Sequence, residues 1–119
     1  MPHVMIIEDD ALARRSMAFR AMDAHWRVTT LADGRELERM LRDEPADLLL
    51  IDLGLPHVDG LALVEDLRAH GIDVPVLVIT AHELPHLRET VLGMGANDLM
   101  QKPFDPDDLM YRMTRLLAA

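Results

Sequence analysis

The 119-residue chain fits one domain, half of its residues are apolar, and its formal net charge is −9. Because it has no cysteine, disulfides, thiolate metal sites and cysteine nucleophiles are excluded. The negative charge disfavours direct nucleic acid binding by this domain but leaves it able to attract cations.

Nothing in the sequence predicts a membrane segment. The longest apolar run, around Leu48–Ile51, is far too short to span a bilayer. The N-terminus reaches an acidic cluster within its first ten residues, which is the wrong order for a signal peptide. We therefore expect a cytoplasmic protein with no membrane contact.

Apolar runs and amphipathic patterns alternate along the chain. The runs predict strands at 4–7, 26–30, 48–51, 74–80 and 99–100. The patterns predict helices at 11–23, from an N-cap at Asp33 through 42, and at 61–70, 84–94 and 106–118. Gly71 is expected to stop the third helix, and Gly93 or Gly95 the fourth.

This alternation is typical of a parallel sheet with helices on both faces. Right-handed crossovers then lead to a doubly wound α/β domain over residues 1–119. In such a domain, ligands bind beyond the carboxyl ends of the strands.

Polar residues follow four of the five predicted strands, at one edge of the sheet. They are Glu8, Asp9 and Asp10 after the first strand, Asp52 after the third, Thr80 at the end of the fourth and Lys102 after the fifth. Singly, each residue could be an ordinary cap, strand or surface residue. Their joint placement favours a site.

Carboxylates that converge after neighbouring strands repel one another unless a cation lies between them. Oxygen ligands suit Mg²⁺, or Mn²⁺ as a second choice. The Lys102 ammonium and the Thr80 hydroxyl could hold phosphoryl oxygens beside such a cation, since phosphoryl transfer needs mainly positioning and charge neutralisation. Asp52 would be the nucleophile and form an acyl phosphate.

Four motifs carry a resemblance that extends from Val4 to Leu117: IIEDD at 6–10, LLLIDLGLPHVDG at 48–60, VLVITA at 76–81 and MQKPFDPDDL at 100–109. In this order and spacing they resemble a response-regulator receiver domain of bacterial two-component systems. The resemblance implies a flavodoxin-like (βα)5 fold with strand order 2-1-3-4-5.

The resemblance also implies roles for single residues. Glu8 and Asp9 match the acidic pair that holds the metal, and Asp52 matches the phosphoacceptor and a metal ligand. Gly54 matches the position whose backbone carbonyl completes the metal shell. Thr80 and Lys102 match the switch hydroxyl and the lysine, Ala81 matches the small residue beside them, and the Lys102–Pro103 bond is expected to be cis.

Asp10 and Leu99 need separate treatment. Capping of the first helix is a better interpretation of Asp10 than a direct metal role. Relatives usually carry Tyr or Phe three residues before the lysine, where this chain has Leu99. Leucine cannot reproduce the ring rotation by which those relatives report phosphorylation, so either a smaller rearrangement or another residue would have to report it.

The expected partner is a histidine kinase or a phosphotransfer protein. The residues of these motifs are most similar to those in receivers of winged-helix transcriptional regulators. Such receivers dimerise through the fourth helix, fifth strand and fifth helix. Candidate pairs across such a dimer are Arg88 with Asp108 and Asp98 with Arg112. A solvated face of mixed charge explains these four residues equally well.

Two alternatives remain open. A receiver-like domain could act through protein contacts without phosphorylation; Leu99 keeps that alternative open, and failure to bind Mg²⁺ would favour it. A metal-dependent phosphatase of similar topology would usually carry a second acid two residues after its nucleophile, and Gly54 at that position counts against it. We expect no enzymatic activity beyond the chain's own phosphorylation and dephosphorylation.

Overall fold

A computed structural model describes residues 1–55, 59–82 and 85–118. In these residues five strands alternate with five helices: β1 (His3–Ile7), α1 (Ala11–Asp23), β2 (Arg27–Leu31), α2 (Leu37–Asp43), β3 (Leu48–Asp52), α3 (Gly60–Ala69), β4 (Val76–Thr80), α4 (Leu87–Gly93), β5 (Asp98–Gln101) and α5 (Pro106–Ala118). All neighbouring strands are parallel and follow the order β2-β1-β3-β4-β5. The predicted doubly wound sheet and its strand order are confirmed.

The three central strands are the continuous apolar runs of the sequence. Every residue of β1, β3 and β4 is buried, as expected for strands covered on both faces. Alternate residues enter different cores: Met5 and Ile51 lie on one side of the sheet, and Ile6 and Leu50 on the other. The two cores fix the register, because a slip of one residue would exchange the two sets.

The second helix begins later than predicted. Asp33 is not its N-cap: its carboxylate accepts a hydrogen bond from the Arg35 N–H at 3.0 Å and forms an ion pair with the Arg35 guanidinium. Glu36 takes the N-cap position, and α2 starts at Leu37. The acid thus stabilises a turn before the helix, a use of Asp that competes with capping.

Other bounds differ by one or two residues where the structure describes them. β2 starts at Arg27 and not at Trp26, and β4 starts at Val76 and not at Val74. Gly71, at a φ of 77°, follows the last residues of α3, where an αL residue ends a helix without strain. The predicted fourth-helix start at residue 84, and loop residues Pro56 and His57, lie outside the described residues.

Asp10 caps α1. Its side chain accepts a hydrogen bond from the Ala13 N–H at 3.3 Å, and its backbone is extended. The predicted capping role is therefore confirmed. Among the described residues, no helix is long and apolar enough to cross a membrane.

We expect Asp10→Ala to lower the free energy of unfolding by about 1 kcal/mol, because the helix loses its N-terminal hydrogen bond. Asp10→Asn keeps an oxygen at the same place and should lose much less. Urea unfolding of both variants measures the difference. Since both lose the same charge, unequal Mg²⁺ affinities for the two would contradict a purely capping role.

Candidate functional site

The carboxyl ends of β1 and β3 bring acids together. The two strands are adjacent, with Ile7 opposite Ile51, so the residues that follow them emerge side by side. Glu8, Asp9 and Asp52 each place one carboxylate oxygen within 4.8 Å of the others. The predicted convergence of these three acids is confirmed.

Two of these acids are withdrawn from solvent. Glu8 is 0% exposed and Asp52 is 8% exposed, whereas Asp9 is exposed. Two adjacent buried carboxylates are unfavourable without compensation. The arrangement therefore requires either a proton or a cation at this position.

Lys102 contributes a positive charge to the same point. It follows β5, its backbone N–H donates to the Thr80 carbonyl at 2.7 Å, and the bond to Pro103 is cis, as expected. The ammonium forms an ion pair with Glu8 Oε1 and lies 3.5 Å from Asp52 Oδ2. It is the only lysine in the chain.

Gly54 and Thr80 complete the surroundings of Asp52. The Gly54 N–H donates to Asp52 Oδ1 at 3.1 Å, which fixes one carboxylate oxygen. Thr80 is buried, and its Oγ1 accepts a hydrogen bond from the His82 N–H at 3.0 Å. The roles of the Gly54 carbonyl as a metal ligand and of Thr80 as a phosphoryl donor remain predictions.

The side chains of Glu8, Asp52 and Lys102 shift one another's pKa values. Burial, together with hydrogen bonding to and repulsion by Asp52, raises the pKa of Glu8 to about 7 in spite of Lys102. Burial also raises the pKa of Asp52, but the Glu8 carboxyl, the Gly54 N–H and Lys102 lower it more, so this pKa lies below its ordinary value. Burial lowers the pKa of Lys102, but its two acidic neighbours raise it above the ordinary value. With a pKa of about 7, Glu8 is partly protonated near neutral pH, whereas the lowered pKa of Asp52 keeps that carboxyl ionised.

We expect the metal-free chain to lose stability between about pH 5 and pH 7 because of Glu8. Its folded-state pKa, about 7, lies above the ordinary 4.5, so the folded chain keeps a proton that the unfolded chain releases. This stabilisation is fully present below pH 4.5 and is lost as the pH rises through 7, at no more than about 1.4 kcal/mol per pH unit.

Urea unfolding in EDTA at several pH values measures this effect, with Glu8→Gln as the matched isostere. The comparison cancels the pH-dependent contributions that both proteins share. Parallel pH profiles for the two proteins would contradict the assignment to Glu8.

Sequence reasoning missed one residue at this site. Arg14 of α1 is half-buried, and its Nη1 donates to the Glu8 carbonyl at 2.8 Å and to the Asp9 carbonyl at 3.4 Å. A signal was available: a cation in the first turns of a helix is disfavoured by the helix dipole unless a specific partner offsets the cost.

The residues predicted to pair across a dimer pair within the chain. Asp98 of β5 lies 3.0 Å from Arg88 of α4 and 3.2 Å from Arg112 of α5, and Arg112 also approaches Asp108 at 3.5 Å. Leu99 is half-buried and packs against the core on the α3 and α4 side of the sheet. Pairing between two chains at this face remains a proposal.

Fold and site together define a doubly wound α/β domain with an acidic, lysine-paired cluster at the carboxyl edge of its sheet. The family described as response regulator receiver domain matches residues 4–114. The chain belongs to this family.

Known relatives agree with this assignment. The chain is 38% identical over 117 residues to the virulence transcriptional regulatory protein PhoP of Salmonella choleraesuis, covering 98% of this chain and 52% of the relative. It is 36% identical over 114 residues to the transcriptional regulatory protein PhoP of Escherichia coli, covering 96% and 51%. The chain thus spans about half the length of these curated relatives.

Solved structures match the whole fold. The receiver domain of the Francisella response regulator 1452 superimposes with a TM-score of 0.93 at 26% identity, covering 99% of this chain and 98% of that one. The BeF3-activated N-terminal receiver domain of Klebsiella pneumoniae RstA superimposes with a TM-score of 0.91 at 27% identity, covering 98% and 99%.

Proposed function

We propose that this chain is a phosphorylation-controlled switch in which Asp52 accepts a phosphoryl group from a phosphohistidine of a histidine kinase or phosphotransfer protein. The observation that carries the proposal is the approach of Lys102 to Asp52, which has two further acids beside it. A structural ion pair would need one acid, whereas Lys102 contacts two acids and Asp9 lies beside them, so that loss of the Glu8 proton leaves a negative excess that suits a divalent cation.

The donor set fits Mg²⁺, with Mn²⁺ as a substitute. Glu8, Asp9 and Asp52 offer hard carboxylate oxygens within 4.8 Å of one another, and we assign the Gly54 carbonyl as a further ligand. When bound, the cation neutralises charge on the phosphoryl oxygens. Loss of the Glu8 proton frees the carboxylate for this role.

Asp52 is suited to be the acceptor because it is ionised and held in place. One carboxylate oxygen is fixed by the Gly54 N–H and the other faces Lys102. In the transfer, a carboxylate oxygen bonds to phosphorus, the nitrogen–phosphorus bond of the donor breaks, and the leaving imidazole keeps that electron pair and takes a proton from water. The product is an acyl phosphate on Asp52.

Lys102 and Thr80 are placed for the phosphoryl oxygens. Lys102 is 24% exposed at its side chain, so its ammonium can turn from Glu8 to an incoming anion. The Thr80 hydroxyl accepts from His82 and keeps its own proton for donation. Both groups neutralise or bind charge without taking part in covalent chemistry.

A protein donor suits the surface beside the site. α1 exposes Leu12 at 75% and Phe19 at 67%, large apolar side chains that a partner protein could cover. A mostly apolar cleft of about 470 Å³ adjoins Lys102 and is lined by Ala13, Ser16, Met17, Ala81, Lys102, Pro103 and Phe104. We propose that the chain acts on no external substrate, and that its switched surface is the α4, β5 and α5 face, with a homodimer as one use of that face.

A second candidate function is kept open by Leu99. A chain that acts through protein contacts alone needs no aromatic switch, and Leu99 provides none. The two candidates differ in whether a covalent phosphoryl group forms.

The deciding experiment is incubation with acetyl phosphate in Mg²⁺ or in EDTA, followed by intact mass measurement. We expect one added phosphoryl group in Mg²⁺ and none in EDTA, and hydroxylamine should remove the group as it removes other acyl phosphates. A folded chain that gains no mass over a range of times and donors would favour the phosphorylation-independent candidate.

A further inference from the structure

We infer that Arg14 is a positioning residue of the metal site, which holds the backbone of Glu8 and Asp9 so that both carboxylates stay directed toward Asp52. The inference extends the proposed function, because it concerns the cation that the three acids would bind. Its basis is the pair of hydrogen bonds from Arg14 Nη1, at 2.8 Å to the Glu8 carbonyl and at 3.4 Å to the Asp9 carbonyl.

The acidic segment needs such a donor because it has left the sheet. The Glu8 N–H donates to the Leu31 carbonyl at 3.0 Å, which is the last hydrogen bond between this segment and β2. Within the part of the chain that the structure describes, the carbonyls of Glu8 and Asp9 lie beyond the paired residues of β1, yet Glu8 is fully buried. A buried carbonyl such as that of Glu8 is costly without a donor, and Arg14 provides the donor from the next element of the chain.

The remaining contacts of the segment leave this function to Arg14. The Asp10 side chain caps α1 through Ala13, and the Asp10 N–H makes a long contact of 3.4 Å with Glu8 Oε2. The first contact holds the end of the helix, and the second holds a side chain. The backbone from which the two acids project is held by Arg14, because its guanidinium reaches both consecutive carbonyls at once.

Positioning and simple electrostatics make opposite predictions for Arg14. A guanidinium close to three acids repels an incoming cation, so if charge alone mattered, removing it would strengthen Mg²⁺ binding. If Arg14 positions the acids, removing it weakens binding. Arg15 provides the control, because it carries the same charge on the same helix, is exposed, and its side chain forms no hydrogen bond or ion pair among the described residues.

The experiment compares Mg²⁺ binding by calorimetry in the unsubstituted chain, Arg14→Gln, Arg14→Lys and Arg15→Gln. We expect Arg14→Gln to bind roughly tenfold more weakly, which is the lower end of the effect of losing an outer partner of a metal ligand. Arg15→Gln should bind as tightly as the unsubstituted chain or slightly more tightly. Arg14→Lys, which keeps a donor, should recover part of the loss.

Hydrogen exchange of the metal-free proteins gives a second readout that does not depend on the cation. The amides of residues 9 and 10 should exchange faster in Arg14→Gln than in Arg15→Gln, while the central strands exchange equally in both. If Arg14→Gln does not fold, the same exchange rates are compared between Arg14→Lys and Arg15→Gln.

Three results would overturn this inference. Equal or tighter Mg²⁺ binding by Arg14→Gln, relative to Arg15→Gln, would overturn it while leaving the proposed function intact. Unchanged exchange at residues 9 and 10 would do the same. Absence of Mg²⁺ binding by the unsubstituted chain would overturn both the inference and the proposed function.

Discussion

Asp52→Asn is expected to leave the chain without detectable phosphoryl uptake from acetyl phosphate, in Mg²⁺ and at long incubation times. The amide has nearly the same shape and can still accept the Gly54 hydrogen bond, which is 3.1 Å long in the native chain. It has no charge and is a very poor nucleophile toward phosphorus, so the bond-forming step is lost. Intact mass measurement records the result.

The matched control for this prediction is Asp59→Asn. Asp59 caps α3 by accepting a hydrogen bond from the Leu61 N–H at 3.0 Å, and asparagine caps helices equally well. The control changes the net charge by the same amount and should take up a phosphoryl group like the unsubstituted chain. An adduct of equal yield in Asp52→Asn would place the acceptor at another residue.

Lys102→Met is expected to lower the rate of phosphoryl uptake roughly 100-fold, the lower end of the loss seen when one charge-stabilising donor is removed from a reacting oxyanion. The methionine keeps the length and packing of the side chain but leaves the transferring phosphoryl oxygens without their ammonium. It also removes a cation that lowers the pKa of both Glu8 and Asp52. The pH profile of uptake should therefore move toward higher pH, where Asp52 is again ionised.

Time courses of intact mass at several pH values measure both effects. Arg15→Met is the control, because it removes one exposed positive charge from the neighbouring helix without touching the acids. Lys102→Arg separates the effect of charge from that of shape. Its rate of phosphoryl uptake should be intermediate, because a guanidinium keeps the positive charge but is broader than the ammonium that lies beside Glu8 and Asp52. If Lys102→Met and Arg15→Met react at the same rate, Lys102 does not stabilise the transfer.

Much of the fold was predictable because the sheet buries both of its faces. The run Leu48–Ile51 could belong only to a central strand, and the neighbouring polar residues then had to lie at the strand ends. The predicted bounds of helices and strands were wrong where local hydrogen bonds competed with the hydrophobic pattern. Asp33 bonds to Arg35 in a turn, and sequence alone gives no means of ranking that turn above a helix cap.

The acids of the site were predictable for a related reason. Parallel strands align their carboxyl ends, so residues that are distant in sequence, such as Glu8 and Asp52, meet whenever their strands are adjacent. Arg14 was not predictable in the same way. Its partners are backbone carbonyls, which every residue possesses, so no residue type marks the positions that it contacts.

The ion pairs around Asp98 affect how charge-swap experiments on this domain can be interpreted. Because Asp98 already pairs with both Arg88 and Arg112 within its own chain, replacing it takes an acid from two arginines and makes this face more basic, although Arg112 keeps its contact with Asp108. A weakened self-association in an Asp98 variant would then report repulsion between two newly basic surfaces as much as the loss of a bond between subunits. Reciprocal exchange, with Asp98→Arg in one chain and Arg112→Asp in a second, removes the repulsion between like surfaces, so association in the mixture can be compared with that of each variant alone at low and at high salt.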